Sequence, residues 1–227
     1  MTTYLTKQID DKTYHFRATA TEYGVDTVEG QFYKSITKIS NATGADNLKA
    51  DQIKLVEEKL AEGYKVTDFV ETKENNFDVY DKAKYHYGGD FPEELDEFQG
   101  FVHTGMYVGW LIDNDLIDQE FFADSLQAIK EFKNRQLTGS QFYEMQMDGV
   151  LLIDDVSEIG NRFSFDYFDF DSGQYLTDYE TTLASELPTL FHVQDTWENY
   201  DKIKKVIDKR FLDWNKQNEK KPRWKVW

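Results

Sequence analysis

The chain has 227 residues, 43 acidic and 26 basic side chains, a net charge of −17, 16% aromatic residues and no cysteine. Without cysteine there is no disulfide framework, thiolate metal site or cysteine nucleophile, and so many aromatics exclude a disordered chain. No run approaches the roughly 18 apolar residues of a membrane span, and the N-terminus lacks a signal-peptide core. The expectation is a cytoplasmic protein with neither a membrane nor a nucleic-acid partner.

From the N-terminus, residues 4–40 alternate and are rich in β-branched and aromatic residues, as in Thr13-Tyr14-His15-Phe16-Arg17. This pattern, punctuated by Asp10-Asp11-Lys12, Gly24 and Gly30, predicts a small antiparallel sheet. A helix follows over about residues 48–62, with Ile53, Val56 and Leu60 on one face and Gly63 just past its end. Its close, Lys54-Leu55-Val56-Glu57-Glu58-Lys59-Leu60-Ala61-Glu62-Gly63-Tyr64, resembles the last helix of the small WGR domain, a lysine-rich helix followed by Gly-Tyr. The Trp-Gly-Arg triplet of that family is missing, so nucleic-acid binding is not carried over. Residues 71–76 are polar and unpatterned, which places a linker there and gives domains 1–72 and 76–217, with a basic tail at 218–227.

The second domain opens on an aromatic and histidine-rich stretch, residues 80–92, that leads into a central helix. Pro92 suits a first helical turn and Asp90 a cap. Leu95, Phe98, Val102, Met106 and Gly109 recur at helical spacing, and Gln99, His103, Met106 and Trp110 form a neighbouring stripe. Gly100, Gly105 and Gly109 each cost a helix about 1 kcal/mol relative to alanine. Their presence implies that another backbone or a bulky ring lies against this helix.

A further helix is predicted over residues 118–135, with Phe121, Phe122, Leu126, Ile129 and Phe132 as its apolar set. Thr138 and Gln141 read as a capping box for a short helix broken at Asp148-Gly149. Periodicity does not decide between strand and helix for residues 150–153. Residues 162–180 alternate around Asp171-Ser172-Gly173 and predict an aromatic β-hairpin, with Phe163, Phe165 and Tyr167 on one side. Asp195 and Glu198 open the last helix, whose stripe is Trp197, Tyr200, Ile203, Ile207, Phe211 and Trp214. The fold class is α+β: a small N-terminal antiparallel sheet with one helix, then a larger mostly helical domain with the hairpin.

Residues 80–112, with Phe165-Asp166-Tyr167, Asp178-Tyr179 and Trp197-Glu198-Asn199-Tyr200-Asp201, resemble an uncharacterised bacterial domain family. The resemblance spans roughly residues 76–215. Members of that family are frequently encoded beside polymorphic or secreted toxins, which implies an immunity role with a cognate protein toxin as partner. No catalytic residues come with it.

The charge distribution fits such a partner. Residues 76–201 hold 27 acidic and 6 basic side chains, whereas residues 202–227 hold 3 and 10. An acidic field repels phosphates and speeds encounter with a basic protein. The expected partner-binding residues are Asp154, Asp155, Glu158, Asp166, Asp169, Asp171, Asp178 and Glu180. A competing reading is an enzyme with a histidine–carboxylate site around His86 and His103, near Asp81 and Asp90 in sequence. A peptide-binding scaffold is the third. No catalytic, cofactor or metal site is assigned: no phosphate loop or nucleophile elbow occurs, and residues 169–180 match a calcium loop only in part.

Overall fold

The computed structural model describes residues 2–10, 12–32, 34, 37–41, 47–68, 79–87, 91–170 and 173–219. The fold is α+β, in two compact units, residues 1–78 and 79–227. The proposed linker at 71–76, Asp90, Asp171 and the basic tail from Lys220 lie outside the described residues.

The first unit is a five-stranded antiparallel sheet. Its strands are β1 (Thr2–Ile9), β2 (Lys12–Ala20), β3 (Val25–Gln31), β4 (Thr37–Asn41) and β5 (Lys65–Thr67), in the order β4-β3-β2-β1-β5. The β1–β2 hairpin pairs Ile9 with Lys12, and Asp10 takes φ 54°, a left-handed conformation that aspartate tolerates in a tight turn. Leu5, Phe16, Ala18 and Val25 are buried beneath Leu55, Val56 and Tyr64.

Helix α1 (Leu48–Ala61) ends at Gly63, φ 95°, as its sequence requires. Its buried face is not the expected one, because Ile53 and Leu60 are exposed. Gln52 turns inward instead and donates to the Ala18 carbonyl at 2.9 Å. A hydrogen-bonded amide is acceptable in a core, and nothing in apolar periodicity reveals it.

His15 on β2 is 1% exposed, and burial with the nearby Arg17 charge pushes it down to about 4, against a pull from Glu29. In the unfolded chain it titrates near 6.5. Between those values the unfolded chain holds the extra proton, so this contribution to stability is full above pH 6.5 and is lost as pH falls towards 4. The expected result is an imidazole NMR shift that stays flat from about pH 8 to about pH 5. The folding equilibrium constant of the first unit should fall by somewhat less than tenfold, about 1 kcal/mol, between about pH 6 and 5, a dependence that His15→Leu removes. A midpoint near 6.5 in the folded protein would contradict it.

The second unit is built on α2 (Gln99–Asp113), buried on almost every side from Gly100 to Ile112. It starts later than predicted. The Asp96 carboxylate accepts from Phe98 N at 2.9 Å, and residues 92–98 form successive turns. That Asx turn resets the start, and Pro92 lies outside the helix.

The glycines of α2 do what the sequence implies. A Cβ on Gly105 would strike the Ser140 backbone, one on Gly100 the Tyr87 ring, and one on Gly109 the rings of Phe132 and Tyr200. Gly139 meets the Gly105 carbonyl from the other side. Helices α2 and α5 (Gly139–Met147) therefore cross at backbone contact.

The predicted helix over 118–135 is divided at buried Ser125 into α3 (Gln119–Asp124) and α4 (Leu126–Lys133). Thr138 and Gln141 form the expected capping box on α5, and Asp148 and Gly149 both take positive φ after it. Residues 150–152 are a strand, β7, antiparallel to β6 (Val79–Lys82).

The aromatic hairpin at 162–180 is not formed. Residues 158–167 are helix α6 (Glu158–Tyr167), capped by Ser157 accepting from Gly160 N, and Tyr175–Tyr179 is α7. Phe163 and Tyr167 stack four residues apart with ring centroids at 5.0 Å, while Phe165 points elsewhere to Tyr80. A run with an aromatic at nearly every second position satisfies both periods, so periodicity alone does not decide, and Ser157 caps the helix that forms.

The last helix, α8 (Trp197–Glu219), is capped by Thr196, whose hydroxyl accepts from Asn199 N at 3.2 Å. Asp195, the expected cap, instead accepts from Thr138 and Ser140 at 2.5 and 2.9 Å.

Candidate functional site

Strand β6 ends against β7 and hands the chain to a 3₁₀ turn, Ala83–Tyr85, which places His86 directly over α2. Asp81 from the strand, His86 after the turn and His103 from the helix converge. One nitrogen of each imidazole and one Asp81 oxygen lie within 4.8 Å of one another. The two imidazoles meet edge to face, centroids 4.5 Å apart.

Asp81 is held from several sides. Its Oδ1 is 2.9 Å from His86 Nε2, and its Oδ2 accepts from Thr104 at 2.7 Å. The Tyr143 hydroxyl shares its proton between the Gly149 carbonyl at 2.7 Å and Asp81 Oδ2 at 3.2 Å. The carboxylate is thereby fixed with one oxygen turned towards the histidines.

Burial opposes ionisation of Asp81, yet the His86 hydrogen bond, the two imidazoles and Thr104 together hold it below its usual range. His103 goes the other way. Complete burial pushes it down to about 4 against the pull of Asp81, so it is neutral at pH 7. Burial and the adjacent Asp81 carboxylate raise Tyr143.

Phe170 and Phe191 stand 5.7 and 5.9 Å from the His103 ring, and both also face His86. His103 Nδ1 is buried and has no hydrogen-bond partner among the described residues. Asp81 and His103 are closed off, while His86 keeps 17% of its side chain exposed. Two imidazoles and a carboxylate in this arrangement can relay a proton or ligate a metal ion.

The sequence names His86, His103 and Asp81, and the structure brings them together. Thr104 and Tyr143 are missed. Thr104 is one position beyond His103 but unremarkable, and Tyr143 arrives from 62 residues beyond Asp81 through the α2–α5 crossing.

The seven described acidic residues of the expected partner surface do not share a strand face. Asp155 is buried and accepts from Leu152 N at 2.8 Å. Asp178 is also buried, bound by Arg210 through Nε at 2.8 Å and Nη2 at 2.7 Å and by the Tyr167 hydroxyl at 3.0 Å. Asp154 and Glu158 are half-buried around the start of α6, and Asp169 is half-buried beyond its end. Asp166 and Glu180 are exposed, Asp166 accepting from Trp214 Nε1 at 2.6 Å.

No helix of the described residues is long and apolar enough to cross a membrane. The second unit is a helical domain wrapped around a buried histidine–carboxylate centre. Residues 79–193, just over half of the chain, match the family described as domain of unknown function DUF7832, and the protein belongs to that family. No curated protein matches the chain. No solved structure matches it either.

Proposed function

We propose that the protein is a cytoplasmic immunity-type binding protein that neutralises a basic bacterial toxin by covering its active site. The carrying observation is the excess of acidic charge in residues 76–201, 27 acidic against 6 basic side chains. Several cations are paired locally: Arg210 with Asp178, Arg135 with Asp201, Lys133 with Asp115 and Lys202 with Glu198. Glu93, Asp96, Glu97, Asp166 and Glu180 stand exposed, so the field extends into solvent. A field of one sign focuses on an oppositely charged partner and raises its association rate. The toxin context comes from the family resemblance of the sequence. Asp155 and Asp178 serve the fold, and Asp154, Glu158 and Asp169 are half-buried, which leaves Asp166 and Glu180 as the exposed members of the described stretch.

The test is co-purification from the producing cell, followed by association kinetics with the recovered partner. Association should slow by about tenfold or more as salt rises from about 50 to about 500 mM, with dissociation less affected. Reversing Asp166 and Glu180 together to lysine should slow it further and weaken protection in a growth assay. Unchanged rate and protection would remove this surface from the interface, and recovery of no basic partner would remove the reading itself. The convergence of Asp81, His86 and His103 favours a second reading, an enzyme. That reading expects turnover without a stoichiometric partner, and its loss in a folded His86→Ala variant.

A further inference from the structure

We infer that Asp81, His86 and His103 form a binding site for one divalent transition-metal ion of the zinc, cobalt or nickel type. This goes beyond the sequence reading, which assigns no metal, and it does not depend on the protein neutralising a toxin. Two imidazole nitrogens and one carboxylate oxygen are the donor set that such ions prefer over magnesium or calcium, which favour all-oxygen ligands.

Three features of the geometry carry the inference. The donor atoms already lie within 4.8 Å of one another. Metal–ligand bonds of about 2.0–2.1 Å bring such atoms to roughly 3–3.5 Å, so the site closes by a small shift. His86, exposed by 17% and set just after a short turn, is the member best able to make it.

The second feature is the support behind the ligands. Thr104 holds the far oxygen of Asp81 at 2.7 Å, and Tyr143 lies behind the same oxygen. Metal-binding carboxylates and imidazoles are oriented by such outer hydrogen bonds. The third is His103 itself. It is 1% exposed, and its Nδ1 has no partner among the described residues. Buried polar atoms are paired in nearly all proteins, by protein, water or ion. An imidazole within reach of a second imidazole and a carboxylate gains that partner from a metal ion. Phe170 and Phe191 wall the site and limit access of water. An ion there would tie β6, the following turn and α2 together and keep one coordination position open.

The test uses the full chain, stripped with chelator and titrated with cobalt(II) chloride and, separately, with zinc chloride. The expected result is one ion per chain by calorimetry, with visible d–d bands for the cobalt form. Zinc at about a hundredfold excess over its Kd should raise Tm by about 5–10 °C. His86→Ala, which alters a partly exposed side chain, should abolish the bands and the shift. Thr104→Val, which touches no metal, should weaken binding about tenfold. Binding of equal strength in wild type and a folded His86→Ala would mean adventitious capture by surface carboxylates and overturn the site. Absence of d–d bands in the wild type would overturn it without reference to any variant.

Discussion

Trp110→Ala is expected to lower the unfolding free energy of the second unit by about 3–5 kcal/mol. Trp110 is fully buried, and its ring packs against those of Tyr107, Phe163 and Phe211 with centroids 5.3–5.5 Å away. It joins α2 to α6 and α8, so the cavity left by alanine would face three helices that cannot all collapse into it. The indole also donates to Asp208 at 2.8 Å, and its loss leaves that carboxylate with Lys204 alone among its observed partners. Chemical denaturation followed by far-UV circular dichroism measures the effect. An unchanged midpoint would place α2 at the surface and return it to consideration as a binding face.

Gly105→Ala tests the crossing of α2 and α5. Helix propensity alone favours alanine by about 1 kcal/mol. Here the added methyl meets the Cα, amide nitrogen and hydroxyl of Ser140, and backbone yields far less readily than a side chain. Overpacking of this kind costs about 1–3 kcal/mol, so the net result should be destabilising despite the better propensity. Gly100→Ala supplies the contrast. The nearest atoms to its methyl belong to the Tyr87 ring, the closest at 2.6 Å, and a half-buried side chain yields more readily than backbone. That variant should be close to wild type in melting temperature. If both variants melt like wild type, the two helices are not in backbone contact.

The crossing also sets the centre, because it brings Tyr143 to Asp81 and places the Ser140 hydroxyl between α2 and Asp195. Loss of stability in Gly105→Ala should therefore come with weaker metal binding, whereas Trp110→Ala acts from the opposite side of α2.

Much of this was legible in the residues alone. The α+β class, the alternation of the first strands, the Gly63 stop and the Thr138–Gln141 box are local features, each decided by a few neighbouring side chains. The three glycines of α2 could be read because their cost in an isolated helix has to be offset by something close, and Ser140, Phe132, Tyr200 and Tyr87 supply it. His86 and His103 drew notice by composition.

What failed or stayed open depends on partners distant in sequence. The run from Phe163 to Phe170 has aromatics at both strand and helix spacing, and burial of Phe163 and Tyr167 against Tyr107 and Phe211 selects the helix. Asp178 looked like surface charge until α8 brought Arg210 to it. Asp81 stood out only by its nearness to His86 in sequence until Thr104, Tyr143 and two imidazoles enclosed it. Sequence fixes local periods and caps, since those are set within a turn or two of chain. Which carboxylates are spent on the fold and which face solvent is set by desolvation and pairing across the packed interior, and only the tertiary structure decides that.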